Sequence, residues 1–160
     1  PAAVLISWSG SMFEYLMPSL VMRAADGSLL EVSNRYAVQR QRDYAARKPH
    51  VPWGISESAY NARDREMTYQ YTNFGVPGLG LKRGLSENLV IAPYATGLAA
   101  MVDAKAALAN LEVLEGMGAR GDYGFYEALD FTPARVPDGR SHVIVRTYMA
   151  HHQAMLLLSI

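Results

Sequence analysis

The segment Val51-Pro-Trp-Gly-Ile-Ser-Glu-Ser-Ala-Tyr60 sets one carboxylate between two hydroxyls, a few residues after an indole. A flat ring can stack on the C–H face of a pyranose. A carboxylate oriented by hydroxyls can serve as acid, base or nucleophile at a glycosidic bond. Residue types alone keep a second reading open, in which Ser56 caps a helix and Glu57 sits in its first turn. Glu14 is another acid, set among apolar residues in Trp8-Ser-Gly-Ser-Met-Phe-Glu-Tyr15, where it needs either a partner or a task. Glu127 stands among Tyr123, Phe125, Tyr126 and Phe131. That alternation suits a sugar subsite, or equally a hairpin with its rings tucked inward.

Other patterns narrow the chemistry. Gly75-Val-Pro-Gly-Leu-Gly-Leu-Lys-Arg-Gly84 fails the spacing of a phosphate loop, since Arg83 or Leu81 falls where Gly or Lys is required, and no strand is expected before it. It reads instead as a backbone-shaped loop with Lys82 and Arg83 at the rim of a cleft. Adjacent helical residues point about 100° apart, so His151 and His152 cannot chelate one ion as an i,i+4 pair does. One of them is expected to line a cavity with Gln153 and the other to pack. No metal and no organic cofactor is expected. Arg120-Gly-Asp122 is a tripeptide common by chance and carries no weight.

Lys plus Arg (15) balance Asp plus Glu (15) in 160 residues, which argues against nucleic acid as a partner. Without cysteine, neither a disulfide framework nor a thiolate metal site can form. No run approaches the roughly 20 apolar residues of a membrane span. The chain starts at Pro1 without Met and stops inside an apolar helical run, so residues 1–160 are expected to be part of one domain cut at both ends.

The elements that must position these groups read as helices. Apolar spacing predicts a helix over residues 10–25, kinked or divided at Pro18, and a second over 29–47 ended by Pro49 and Pro52. Residues 59–73 are weakly helical, 88–102 helical with a bend near Pro93, and 143–160 helical. Asp103 should N-cap a helix ended by Gly116 and Gly118. A short hairpin is expected within 121–139. The class predicted is all-α, an array of antiparallel helix pairs.

Six segments occur in a fixed order: Trp8 to Pro18, Val51 to Tyr60, Phe74 to Gly84, Ala92-Pro-Tyr-Ala-Thr96, Tyr123-Gly-Phe-Tyr-Glu-Ala128 and Met149-Ala-His-His-Gln153. Together they resemble the glycoamylase-like middle region of bacterial cyclic β-1,2-glucan synthases, large inner-membrane proteins that also carry a glycosyltransferase and a cellobiose phosphorylase-like domain. Ser11 stands where that family is expected to have Thr, and Ala154 where it is expected to have Gly. The resemblance implies part of an (α/α)6 barrel acting on β-1,2-glucan by retaining transglycosylation or by hydrolysis.

On that resemblance Glu57 is a catalytic carboxylate, with its partner upstream of Pro1 and with Glu14 and Glu127 as lesser candidates. Trp53, Tyr60, Tyr123 and Tyr126 would stack on sugar, while Arg83, Glu127, His151 and Gln153 would bind hydroxyls. The implied partners are a β-glucan oligosaccharide and the rest of the parent polypeptide, on the cytoplasmic side of the inner membrane. The isolated piece would be soluble and inactive, and its exposed helix faces would favour homo-oligomers. A non-catalytic carbohydrate-binding scaffold and a phosphorolytic enzyme of the cellobiose phosphorylase type are the alternatives.

Overall fold

The structure, a computed structural model, describes residues 3–160, so the start at Pro1 lies outside the described residues. It replaces the expected all-α barrel segment with a mixed architecture, 41% helical and 16% strand, with three small antiparallel sheets. Helix α1 (Met12–Leu16) starts at Ser11, whose hydroxyl accepts the Glu14 N–H, and gives way to a 3-10 turn (Met17–Leu20) holding Pro18. Proline lacks the N–H needed to continue the α ladder, so the helix expected over residues 10–25 is divided here rather than kinked, and it ends at Leu20. Helix α2 (Leu29–Ala45) matches expectation and is capped by Ser28, with Glu31 in its first turn and Arg42 in its last.

Helix α3 (Pro93–Gly116) opens at Pro93, a position where a missing N–H costs nothing. Its backbone departs from helical geometry at Asp103 (φ −143°, ψ 82°), and Asp103 Oδ1 accepts the Ala106 N–H at 3.0 Å. Asp103 therefore caps the second half of the rod, as its sequence position indicates. Helix α4 (Ala150–Leu158) packs on α3 across Gly97, where a Cβ would come within 2.3 Å of a Leu156 methyl.

Three segments expected to be helical are wholly or partly extended. Residues 59–73 contain a hairpin of β1 (Ser58–Arg63) and β2 (Tyr69–Thr72). Tyr60, Tyr69 and Tyr71 favour the pleated surface, and the charge lies in the connecting turn, where Asp64 accepts the Thr68 N–H at 2.8 Å. Strand β3 (Val90–Ile91) precedes α3. After α3 come a small hairpin, β4 (Arg120–Gly121) with β5 (Gly124–Phe125), then β6 (Ala128–Asp130) and β7 (Val143–Val145), the last preceding α4. Short apolar runs such as Val143-Ile-Val carry no period that separates strand from helix. Strands β3, β6 and β7 form an antiparallel sheet with the wholly buried β6 at its centre.

Strand β2 also precedes the glycine-rich loop, contrary to expectation, but the glycines there serve chain crossing. A Cβ on Gly75 would lie 1.8 Å from the Ser9 carbonyl oxygen, and one on Gly80 2.5 Å from the Gly10 nitrogen. Only bare backbone allows residues 75–80 to lie against residues 7–10. One core joins the helices to the central sheet through Met12, Leu16, Ile55, Ile91, Leu98 and Leu129, each side chain contributing about 1.5–3 kcal/mol by burial.

Candidate active site

No helix starts at Ser56, so the helix-opening reading of Glu57 does not hold. Residues 53–57 lie in a connection that leads into β1. Buried backbone donors need partners, and here side chains from four different places supply them. The Trp53 N–H donates to Asn110 Oδ1 on α3 (3.2 Å), and the Ile55 N–H to Gln41 Oε1 on α2 (2.8 Å). The Ala59 N–H donates to Glu127 Oε1 (3.2 Å), and the Asn61 N–H to Asp130 Oδ2 on β6 (3.0 Å). Gly54, at φ +119°, admits no Cβ: one would meet Thr96 Oγ1 at 2.9 Å.

Glu57 itself is half-buried, and its backbone is pinned. Its carbonyl accepts from the Tyr94 hydroxyl at 2.8 Å, and the neighbouring Ser56 Oγ accepts the Phe13 N–H at 3.0 Å. The Glu57 carboxylate accepts a 2.8 Å hydrogen bond from the Tyr71 hydroxyl on β2. The Tyr71 oxygen lies 3.4 Å from Nε2 of His152, whose Nδ1 is 2.8 Å from Glu127 Oε1. His152 is fully buried and stacks flat on Tyr94, with centroids 3.8 Å apart and planes at 12°.

Burial and the adjacent Glu57 carboxylate push the Tyr71 hydroxyl far up. Burial does the same for Tyr94, so both phenols keep their protons. Burial and the neighbouring His152 push His151 below its ordinary value, which keeps it neutral at pH 7. The network therefore contains two carboxylates, two phenols and a histidine pair. It can hold a half-exposed carboxylate in one orientation beside a hydrogen-bond donor.

The other predicted residues are spread around this centre. Glu127 is wholly buried, with Oε1 occupied and Oε2 without a partner among the described residues. Glu14 is turned to the chain, accepting the Ser9 and Gly10 N–H groups at 2.8 and 3.1 Å. Tyr60 and Arg83 line a separate cavity of about 250 Å³ with Lys82 and Arg135. Trp53 lies in a groove between α2 and α3 with His50 and Met117.

Tyr123 and Tyr126 both pack against Tyr148, and Gln153 donates to the Phe125 carbonyl at 2.9 Å, which ties α4 to β5. His151 is exposed, beside Tyr71. Tyr71 and Tyr94 were not singled out from the sequence. Strand alternation in residues 69–72 would have signalled Tyr71, and the Ala92-Pro-Tyr-Ala-Thr96 segment contained Tyr94. Among the described residues no cluster of His, Cys, Asp and Glu could hold a metal ion, and no helix is long and apolar enough to cross a membrane.

A carboxylate pinned in this way, within aromatic and hydroxyl-bearing walls, fits carbohydrate chemistry. The chain matches the glycoamylase family, described as "putative glucoamylase", over residues 2–160, and it belongs to that family. Among characterised proteins it is 58% identical over 156 residues to the cyclic beta-(1,2)-glucan synthase NdvB of Rhizobium meliloti (strain 1021), covering 98% of this chain and 6% of that protein. The fold is shared with a putative glucoamylase from Bacteroides caccae ATCC 43185 (TM-score 0.64, 18% identity, 94% of this chain and 35% of that one). It is shared too with an endo-beta-1,2-glucanase from Chitinophaga pinensis solved with sophorotriose and glucose (TM-score 0.62, 16% identity, 95% and 35%). The chain thus spans about a third of these solved chains and a small part of the synthase.

Proposed function

We propose that this domain acts on β-1,2-glucan within a cyclic β-1,2-glucan synthase, with Glu57 as the catalytic nucleophile of a retaining transglycosylation. The observation that carries the reading is the Glu57 carboxylate itself. It is partly open to solvent, fixed through its backbone, and hydrogen-bonded by Tyr71, in a chain 58% identical to such a synthase. Retention requires a second carboxyl group about 5–5.5 Å away to protonate the leaving oxygen. Neither in-chain candidate is free for this: Glu127 is buried and Glu14 is committed to the Ser9 and Gly10 amides. On the family resemblance, the second acid lies upstream of Pro1, in the parent polypeptide at the inner membrane.

In this reading Glu57 attacks the anomeric carbon as the glycosidic bond breaks, and a sugar hydroxyl later displaces Glu57 to close the ring. The test is Glu57→Gln in the full-length protein, assayed for cyclic product from linear β-1,2-glucan. Turnover should fall on the order of 10³-fold or more while oligosaccharide binding persists. Unchanged cyclisation with weakened binding would leave Glu57 as a binding residue and overturn the assignment.

A further inference from the structure

Tyr71 has one hydroxyl proton and faces two acceptors. Glu57 Oε1 is 2.8 Å from its oxygen, and His152 Nε2 is 3.4 Å from it. The state of His152 follows from its other nitrogen. Nδ1 lies 2.8 Å from a carboxylate oxygen of Glu127, and two acceptors do not approach so closely, so Nδ1 bears the proton. In its neutral form the ring then presents a lone pair from Nε2 toward Tyr71. The flat stack on Tyr94 and the full burial of the ring fix that direction.

Glu127 therefore sets the tautomer, and the tautomer gives Tyr71 a second place to donate. We propose that Tyr71 is a two-position hydrogen-bond donor that holds Glu57 while it is a free carboxylate and turns to His152 when Glu57 becomes an ester. The proposal rests on the reading of Glu57 as nucleophile.

The physical reason is a change in acceptor strength. A hydrogen bond to a carboxylate is charge-assisted and roughly twice as strong as a neutral one, so Tyr71 favours Glu57 in the resting state. When a Glu57 oxygen bonds the anomeric carbon, the glycosidic C–O bond breaks and the leaving oxygen takes its proton from the second carboxylic acid. Glu57 is then a neutral ester, whose carbonyl is a weaker acceptor than an imidazole nitrogen. Tyr71 keeps its proton throughout and only rotates its O–H bond. His152 and Glu127 are positioning residues in this scheme, since neither touches the sugar.

The test uses full-length variants turning over linear β-1,2-glucan. Tyr71→Phe removes only a hydroxyl from a partly exposed ring and should lower kcat about 10–100-fold with KM within about 2-fold of wild type. His152→Asn puts an amide nitrogen near the Nδ1 position, keeping Glu127's partner but leaving no acceptor at Nε2. It should lower kcat about 10-fold. His152→Gln, whose amide oxygen reaches the Nε2 position, should recover part of that loss.

The Tyr71→Phe/His152→Asn double variant should fall within about 2-fold of Tyr71→Phe alone, because both changes remove the same motion. Losses that multiply, or a Tyr71→Phe enzyme with wild-type kcat, would overturn the proposal. Should His152→Asn not fold, a crystal structure of the glycosyl-enzyme trapped with a 5-fluoroglucosyl fluoride decides. Tyr71 oxygen within about 3.0 Å of Nε2 supports the proposal, and an unaltered contact with Glu57 sinks it. Glu57→Gln separates the two levels: if it is inactive while Tyr71→Phe is unaffected, only the two-position donor fails.

Discussion

Replacing Gln41 by Leu should loosen the segment that carries Glu57 without opening a cavity, since the two side chains are close in volume. Gln41 is buried on α2 and grips both backbone polar groups of Ile55, accepting its N–H at 2.8 Å and donating to its carbonyl at 2.7 Å. The carbonyl keeps a second donor, the Met12 N–H at 3.2 Å, but the N–H has no replacement on α2. An orphaned buried N–H costs about 1–3 kcal/mol, and losing the bond to the carbonyl adds about 1 kcal/mol. Extra apolar burial by Leu offsets part of this, leaving about 2 kcal/mol. If the segment opens locally, that is a roughly 30-fold loss of hydrogen-exchange protection. Exchange mass spectrometry of the full-length protein should place the loss in peptides covering residues 53–59, with kcat falling about 10-fold or more through misplacement of Glu57. Protection within about 3-fold of wild type in a folded variant would refute the idea that side-chain anchors hold this segment.

Two further outcomes follow from the charges. Arg135→Met should cost about 3–5 kcal/mol, because it strands the fully buried Asp130, whose carboxylate Arg135 meets at 2.6 and 3.2 Å. Adding Asp130→Asn should recover part of the loss in a thermal melt, and strictly additive losses would show that the pair is not coupled. Burial alone would raise the Glu14 carboxyl, but the Ser7 hydroxyl and the Ser9 and Gly10 N–H groups together hold it below its ordinary 4.5. Its contribution is therefore complete above pH 4.5 and is lost as the pH falls through the lower folded value. Glu14→Gln should flatten the fall in thermal midpoint below pH 4.5, and an unchanged slope there would assign the acid sensitivity elsewhere.

Long elements with sharp ends were legible in the sequence. The Asp26-Gly27 turn and the proline pair framed α2, and Asp103 announced its own cap inside α3. The short strands were not, for a physical reason: Val90–Ile91 and Val143–Val145 are too brief to show a period. The hairpin of β1 and β2 was hidden by its charged turn, and with it went Tyr71. The all-α class failed on those same segments. At the site, the hydroxyls and indole near Glu57 in sequence drew attention to it but left its role open, and only the family resemblance singled it out. Its partners could not be named, since Tyr71, Tyr94 and His152 approach it only through long-range packing. Motif reading grouped Trp53 with Glu57 by proximity in the chain, but Gly54 redirects the backbone between them and the indole lies in another groove.

The pattern of anchors explains how the Glu57 carboxylate can be held on a connection rather than on a helix. An extended segment normally satisfies its N–H groups by pairing with a neighbouring strand on each edge. Here β1 pairs with β2 along one edge, and Asn110, Gln41, Glu127 and Asp130 supply acceptors for N–H groups of residues 53–61, each reaching one residue from a different part of the fold. The backbone around Glu57 is thereby anchored at several points, while its half-buried side chain meets the Tyr71 hydroxyl. Three of the four anchors have a further duty: Glu127 orients His152, Asp130 binds Arg135 and Asn110 donates to the Thr96 hydroxyl. Rigidity of the backbone and tuning of the side chain are thus carried by overlapping residues. Substitutions at Glu127 should for that reason disturb turnover more than substitutions at Asn110, although Asn110 holds both the N–H and the carbonyl of Trp53 and Glu127 only the Ala59 N–H.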